Sequence, residues 1–208
     1  ALGGNFTEGA GSAVGAPVYL FNAPTSSTGP SDEAGQKITQ LTFTVSGLRD
    51  GSDEVMLLAN NPVSLVDGVS GFTVHTTNPT LHNMAYSVSV SGDVATVTIT
   101  PDLNNGQTAA QNLSGLINFV AGLRYRNDNA NNPTPGDRVI TLTRLSDNGG
   151  TLNGGIDTLT LSNTSTVTVV AVNDAPTHSL PGAQSVAEDQ SLSIAGLSVS
   201  DVDANLAT

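Results

Sequence analysis

Carboxylates are the side chains through which this sequence could do chemistry. Its 208 residues carry 18 Asp and Glu against 6 Lys and Arg, a net charge of −12 and a pI of about 4.2. A field of that sign repels nucleic acid and anionic membrane and favours cations. Cysteine is absent, which excludes disulfides, thiolate metal sites and thiol nucleophiles. The histidines His75, His82 and His178 are scattered, and neither HExxH nor GxSxG occurs. Paired carboxylates serve glycoside hydrolysis, but rings for sugar stacking are scarce, with no Trp, 3 Tyr and 5 Phe. Enzymatic activity is therefore not expected. The run Arg49-Asp50-Gly51-Ser52-Asp53-Glu54 concentrates acids, yet it lacks the later bidentate Glu of a calcium loop and reads as a plain turn.

The elements that must position the acids are strands. From Thr166 an alternating apolar stretch, TVTVVAV, runs into Asn173-Asp174-Ala175-Pro176, a polar turn. Beyond it the pattern of the chain's beginning restarts, Thr7 to Val14 being answered by Ala187 to Ile194 and Glu8 by Glu188. Two parts are expected: residues 1–174 as one complete unit and residues 175–208 as the opening strands of the next. Between the ends, period-two alternation recurs. Strands are expected over Lys37 to Leu48, Glu54 to Ala59, Val63 to Val66, Gly71 to Thr77, Met84 to Val90 and Val94 to Thr100. Further strands follow near Leu123 to Arg126, Val139 to Leu145, Asp157 to Leu161 and Ser165 to Val172. Asn61-Pro62 should break the chain, Ser91-Gly92-Asp93 should close a hairpin, and Asn127 to Gly136 should be a long turn. Past the joint, Ser191 to Ile194 and Leu197 to Ser200 read as weakly held strands. One stretch breaks the rule. Thr108 to Gly122 has helical apolar spacing at 109, 110, 113, 116, 117 and 120, with Thr108 as N-cap and Gly122 as stop. Many short strands, one helix and frequent turns predict an all-β fold, a β-sandwich whose helix spans the gap between two sheets. No run of about 18 apolar residues offers a membrane span. The Gly-, Asn-, Thr- and Val-rich composition is that of an extracellular β repeat.

Several motifs in this order resemble the cadherin-like repeats of large bacterial surface and RTX-type adhesins. They are Phe6-Thr7-Glu8-Gly9, Leu41 to Leu48, Leu123 to Asn127, Asn132 to Arg138, Ser146 to Gly150, Val172 to Pro176 and Asp201-Val202-Asp203. The resemblance implies an immunoglobulin/cadherin-like sandwich in a tandem array, secreted or displayed on the cell surface, working in cell adhesion with calcium (Ca2+) at its joints. The implied ligands are Glu8, Asn173, Asp174, Asp201 and Asp203. Ca2+ takes about 6–8 oxygens, several of them carboxylate, so acids on both sides of a joint suit it. The first unit has Phe21-Asn22-Ala23 where the second has Asp201-Val202-Asp203, so an upstream joint would differ and could draw on Asp32 and Glu33. The Asp-Arg-Glu triplet of the pattern is missing; Asp102 or Asp147 could stand in. Expected partners are neighbouring repeats of the same chain and a host, matrix or glycan ligand. A carbohydrate-binding module using Tyr86, Tyr125 or Arg126, or an accessory domain of an exported hydrolase, is the alternative.

Overall fold

The computed structural model describes residues 2–9, 13–22, 37–73, 84–101, 113–152 and 155–204. His75, His82, Asp32, Glu33, Asp102 and the Thr108 cap lie outside the described residues.

The fold is all-β with one α-helix among the described residues. In chain order the strands are β1 (Gly4–Thr7), β2 (Val18–Tyr19), β3 (Ile38–Ser46), β4 (Glu54–Leu58), β5 (Asn61–Ser64), β6 (Ser70–Phe72), β7 (Met84–Ser91) and β8 (Val94–Pro101). Helix α1 (Leu113–Ala121) follows, then β9 (Arg124–Asn127), β10 (Gly136–Asp147), β11 (Thr158–Val170), β12 (Thr177–Ser179) and β13 (Ser198–Ser200). A seven-stranded sheet has the order β1-β11-β10-β3-β8-β7-β6 and a four-stranded sheet the order β2-β9-β4-β5; β12 and β13 pair by themselves. All strand pairs are antiparallel except β1 with β11.

Alternation explains which side chains go inside. On β3, Leu41, Phe43 and Val45 are buried; opposite them stand Ile99, Val97 and Ala95 of β8. Gly47 ends β3 at φ +82°, where a Cβ would come within 2.4 Å of the Asp137 carbonyl oxygen, so only glycine fits that stop. β10 carries a bulge at Thr143 that shifts its phase. Arg138, Ile140 and Leu142 are inward before it, and Leu145 packs on the core after it, opposite Leu41. Met56, Leu58 and Tyr125 from the four-stranded sheet join Phe6, Phe43 and Ile140 from the seven-stranded sheet in one core. Phe6 meets Tyr125 edge-on with centroids 6.0 Å apart. α1 connects β8 of one sheet to β9 of the other and seals the core with Phe119.

The structure corrects four local expectations. Asn61-Pro62 does not break the chain. Ala59 and Asn60, both at positive φ, make the turn, and Pro62 sits in β5, an edge strand where a missing N–H is tolerated. Asp157 to Leu161 and Ser165 to Val172 merge into the single long β11, because both stretches pair with β10, one on each side of its bulge. Phe119, outside the expected apolar stripe, is the buried anchor of α1. Past the joint, Ser191 to Ile194 is not a strand; Thr177–Ser179 pairs with Ser198–Ser200 instead.

A buried ion pair ties the two sheets together. Glu54 opens β4 in the four-stranded sheet, and Arg138 lies on β10 in the seven-stranded sheet; both are 0% exposed. The Arg138 Nη2 and Nε donate to Glu54 Oε1 at 2.8 and 3.0 Å, and the Tyr125 hydroxyl donates to Oε2. The backbone N–H of Arg49 adds a donor at 2.9 Å. Burial works against the guanidinium charge, but the hydrogen bonds and charge of Glu54, helped by Tyr125 and Asp50, outweigh it and raise the Arg138 pKa. The Tyr125 hydroxyl is pushed well above its usual range by burial and by Glu54, so it stays protonated as a donor. The plain turn expected at Arg49 to Glu54 is present as a 3-10 turn, Gly51–Asp53, yet its flanking acids face inward.

Removing one partner should leave a bare buried charge. We expect Glu54→Gln and Arg138→Met each to cost about 3–5 kcal/mol in urea denaturation. The double variant Glu54→Leu/Arg138→Met should recover most of that loss. Single losses below about 1 kcal/mol would show the pair to be incidental.

Candidate metal centre

β1 lies parallel against the end of β11, with Thr7 opposite Val170, and this delivers Glu8 to the joint. The Glu8 N–H donates to the Val170 carbonyl at 3.0 Å, and Glu8 Oε2 accepts the Val172 N–H at 2.8 Å. The chain after Glu8 returns so closely that a Cβ on Gly15 would stand 2.1 Å from the Thr7 carbonyl oxygen. Glu8 is thus held at the end of the core, 4% exposed.

Across the joint, the Asp174 N–H donates to Asp203 Oδ2. Asp203 is 4% exposed, and its own N–H donates to Asp201 Oδ1 at 2.9 Å, so Asp201 bends the turn that presents Asp203. Asn173 folds its side-chain amide onto the Asp174 carbonyl at 2.8 Å. Of the five residues expected as ligands, the fold brings Glu8, Asp174 and Asp203 together. Asp201 and Asn173 shape the backbone around them. Asp147 does not join: it stands at the far end of β10 and accepts the Gly149 N–H. There it lines a polar cavity of about 330 Å³ with Thr39, Gln40, Arg144 and Thr158.

The electrostatics of the cluster are unbalanced. Burial raises the Glu8 pKa above its ordinary value of 4.5; the Val172 N–H works against that rise, and the charges of Asp174 and Asp203 add to it. Glu8 Oε1 and Asp203 Oδ1 are buried without a hydrogen-bond partner. An unsatisfied buried acceptor costs about 1–3 kcal/mol, more when charged. Two such oxygens from opposite sides of a joint, beside a third carboxylate, suit a hard, oxygen-seeking cation. Among the described residues, no three His, Asp or Glu side chains already converge as a metal cage. A bound Ca2+ would therefore take Glu8 and Asp203, with Asp174 beside them, and draw further oxygens from backbone or water.

Two other expectations meet the geometry here. Asp50 and Glu54 of the Arg49 to Glu54 turn are both engaged by Arg138. Tyr125, considered as a sugar-stacking ring, is 0% exposed and has no face to offer. The Glu54–Arg138 pair escaped sequence reading because the residues lie 84 positions apart. Its one signal was an arginine at an inward strand position among few basic residues.

The sign of the pH effect follows from the raised Glu8 pKa. The folded chain holds this proton more tightly than the unfolded chain, so the contribution is whole below about pH 4.5 and is lost as pH rises through the raised value. In metal-free buffer, Glu8→Gln should match the parent near pH 4.5 and melt above it at pH 7. Added Ca2+ should reverse that order. Parallel melting temperatures across the range would remove Glu8 from the cluster.

No protein-family model, no curated protein and no solved structure matches this chain.

Proposed function

We propose that this chain is a calcium-stabilised extender and adhesion repeat of a large bacterial cell-surface or secreted protein, without enzymatic activity. In this reading residues 1–174 are one cadherin-like β-sandwich, and residues 175–208 begin the next repeat of a tandem array. The observation that carries it is the pair of buried, unpartnered carboxylate oxygens, Glu8 Oε1 and Asp203 Oδ1, one on each side of Asn173-Asp174-Ala175-Pro176. Without a cation, like charges push the two sides apart. With Ca2+ the same charges become a cross-link that stiffens the joint. The exposed apolar side chains of the segment past the joint, Leu180, Ile194, Leu197 and Val199 among them, fit a segment that buries its apolar side chains in a second core. The carbohydrate-binding alternative loses Tyr125 to the core and ranks behind.

Calcium titration by calorimetry, with melting curves in Ca2+ and in EGTA, tests the reading. Ca2+ should raise the melting temperature, its stabilisation growing with the logarithm of ligand excess over Kd and reaching about 2.7 kcal/mol at a hundredfold excess. Asp203→Asn and Asp174→Ala should remove most of the gain and leave the metal-free core signal intact. Identical curves with and without EGTA would sink the calcium role.

A further inference from the structure

The loop between β9 and β10 reaches the segment beyond the joint. Asn132 Nδ2 donates to the Val202 carbonyl at 3.4 Å, in the middle of the Asp201-Val202-Asp203 turn. This loop is not a loose tether, because its backbone is fixed at nearly every step. The Asp128 N–H donates to the Asp53 carbonyl at 2.7 Å, and the Asn129 N–H to Asn127 Oδ1 at 2.9 Å. Asn129 Oδ1 in turn accepts the N–H groups of Asn131 and Asn132 at 3.2 and 3.1 Å. Further on, the Thr134 N–H donates to Asp50, and the Thr134 carbonyl accepts from Arg138 Nη2 at 3.0 Å. Asp50 also accepts from Asn127 Nδ2 at 2.6 Å and from Arg138 Nη2 at 3.2 Å. Arg49 holds the Pro135 carbonyl at 2.9 Å. The anchoring groups belong to the same buried network that joins the sheets. Rigidity therefore runs from the Glu54–Arg138 pair through Asp50 into the loop and out to Asn132.

We propose that the Asp128–Pro135 loop is a docking surface for the Asp201-Val202-Asp203 turn of the following segment, a second clamp on the joint that needs no cation. Its occupant is a backbone carbonyl and a turn shape, which an amide donor on a stiff loop recognises. The Asp174 N–H holds the same turn through Asp203 Oδ2. Two grips on neighbouring residues set a direction, where one alone would leave a swivel. The clamp is independent of the calcium reading, since the contact is between neutral groups.

Nitrogen-15 relaxation of the full chain in EGTA tests it. The amides of Val202 and Asp203 should show order parameters near those of rigid backbone, about 0.85, and Asn132→Ala should drop them below about 0.6. Asn132 is half-buried in a loop and absent from the hydrophobic core, so the melting temperature of the main unit should not move. Asp50→Ala should loosen the amides of residues 129–134 together with Val202. Order at Val202 that survives either substitution in a folded chain overturns the proposal. So does a parent chain already mobile there in EGTA and ordered only by Ca2+. A parent ordered in EGTA and indifferent to Ca2+ leaves the clamp standing while removing the calcium reading.

Discussion

The Glu54–Arg138 ion pair is the constraint on which the rest depends. Apolar burial between two β-sheets is not directional and by itself favours no single pair of partners across the core. A desolvated guanidinium facing a desolvated carboxylate does favour one. Arg138 is anchored on β10, Glu54 on β4, and Tyr125 on β9 fills the second carboxylate oxygen. Three strands from two sheets are thereby set in register at one end of the core. Desolvation makes such a pair a poor source of net stability. What it supplies is a unique arrangement of that end.

That end is where the joint lies. β10 enters at Gly136 opposite Val169, β1 leaves at Thr7 opposite Val170, and the Arg49 to Glu54 turn closes beside them. The loop residues that face the next segment are therefore attached to this buried hydrogen-bonded network. Asp50 is the link, accepting hydrogen bonds from Arg138, from Asn127 and from the loop backbone at Thr134. A chain with one lysine and five arginines spends two of them, Arg49 and Arg138, on this end.

Charge is distributed asymmetrically around the joint. Inside the main unit each deeply buried acid of the network has an arginine. At the joint, Glu8 and Asp203 are equally buried, yet each keeps one oxygen without a partner. The contrast between satisfied and unsatisfied carboxylates within one small region is what the proposed calcium role rests on. The hydrogen bonds Val172 to Glu8 and Asp174 to Asp203 hold those oxygens in place from the backbone side.

Much of the fold was legible in the chain, because alternation is a local property. The inward faces of β3 and β8, the hairpin at Ser91-Gly92-Asp93, the stop at Gly47 and the helix before Gly122 all follow from residue types within a few positions of one another. The end of β11 before Asn173-Asp174-Ala175-Pro176 was legible too, since that polar turn interrupts an alternating apolar run. Tertiary structure decided whatever depended on long separations or on shared surfaces. Pairing with β10 turned two expected strands into β11, and an edge position let Pro62 stay in a strand. Burial turned Glu54 from a turn acid into half of an ion pair and took Tyr125 away from any ligand. Glu8 and Asp203 stood out in sequence only through the family resemblance, which says nothing of their burial. Only the parallel docking of β1 on β11, and the turn bent by Asp201, remove them from water and leave an oxygen of each unanswered. Residue type sets which groups can carry charge, but the fold sets which of them are desolvated together.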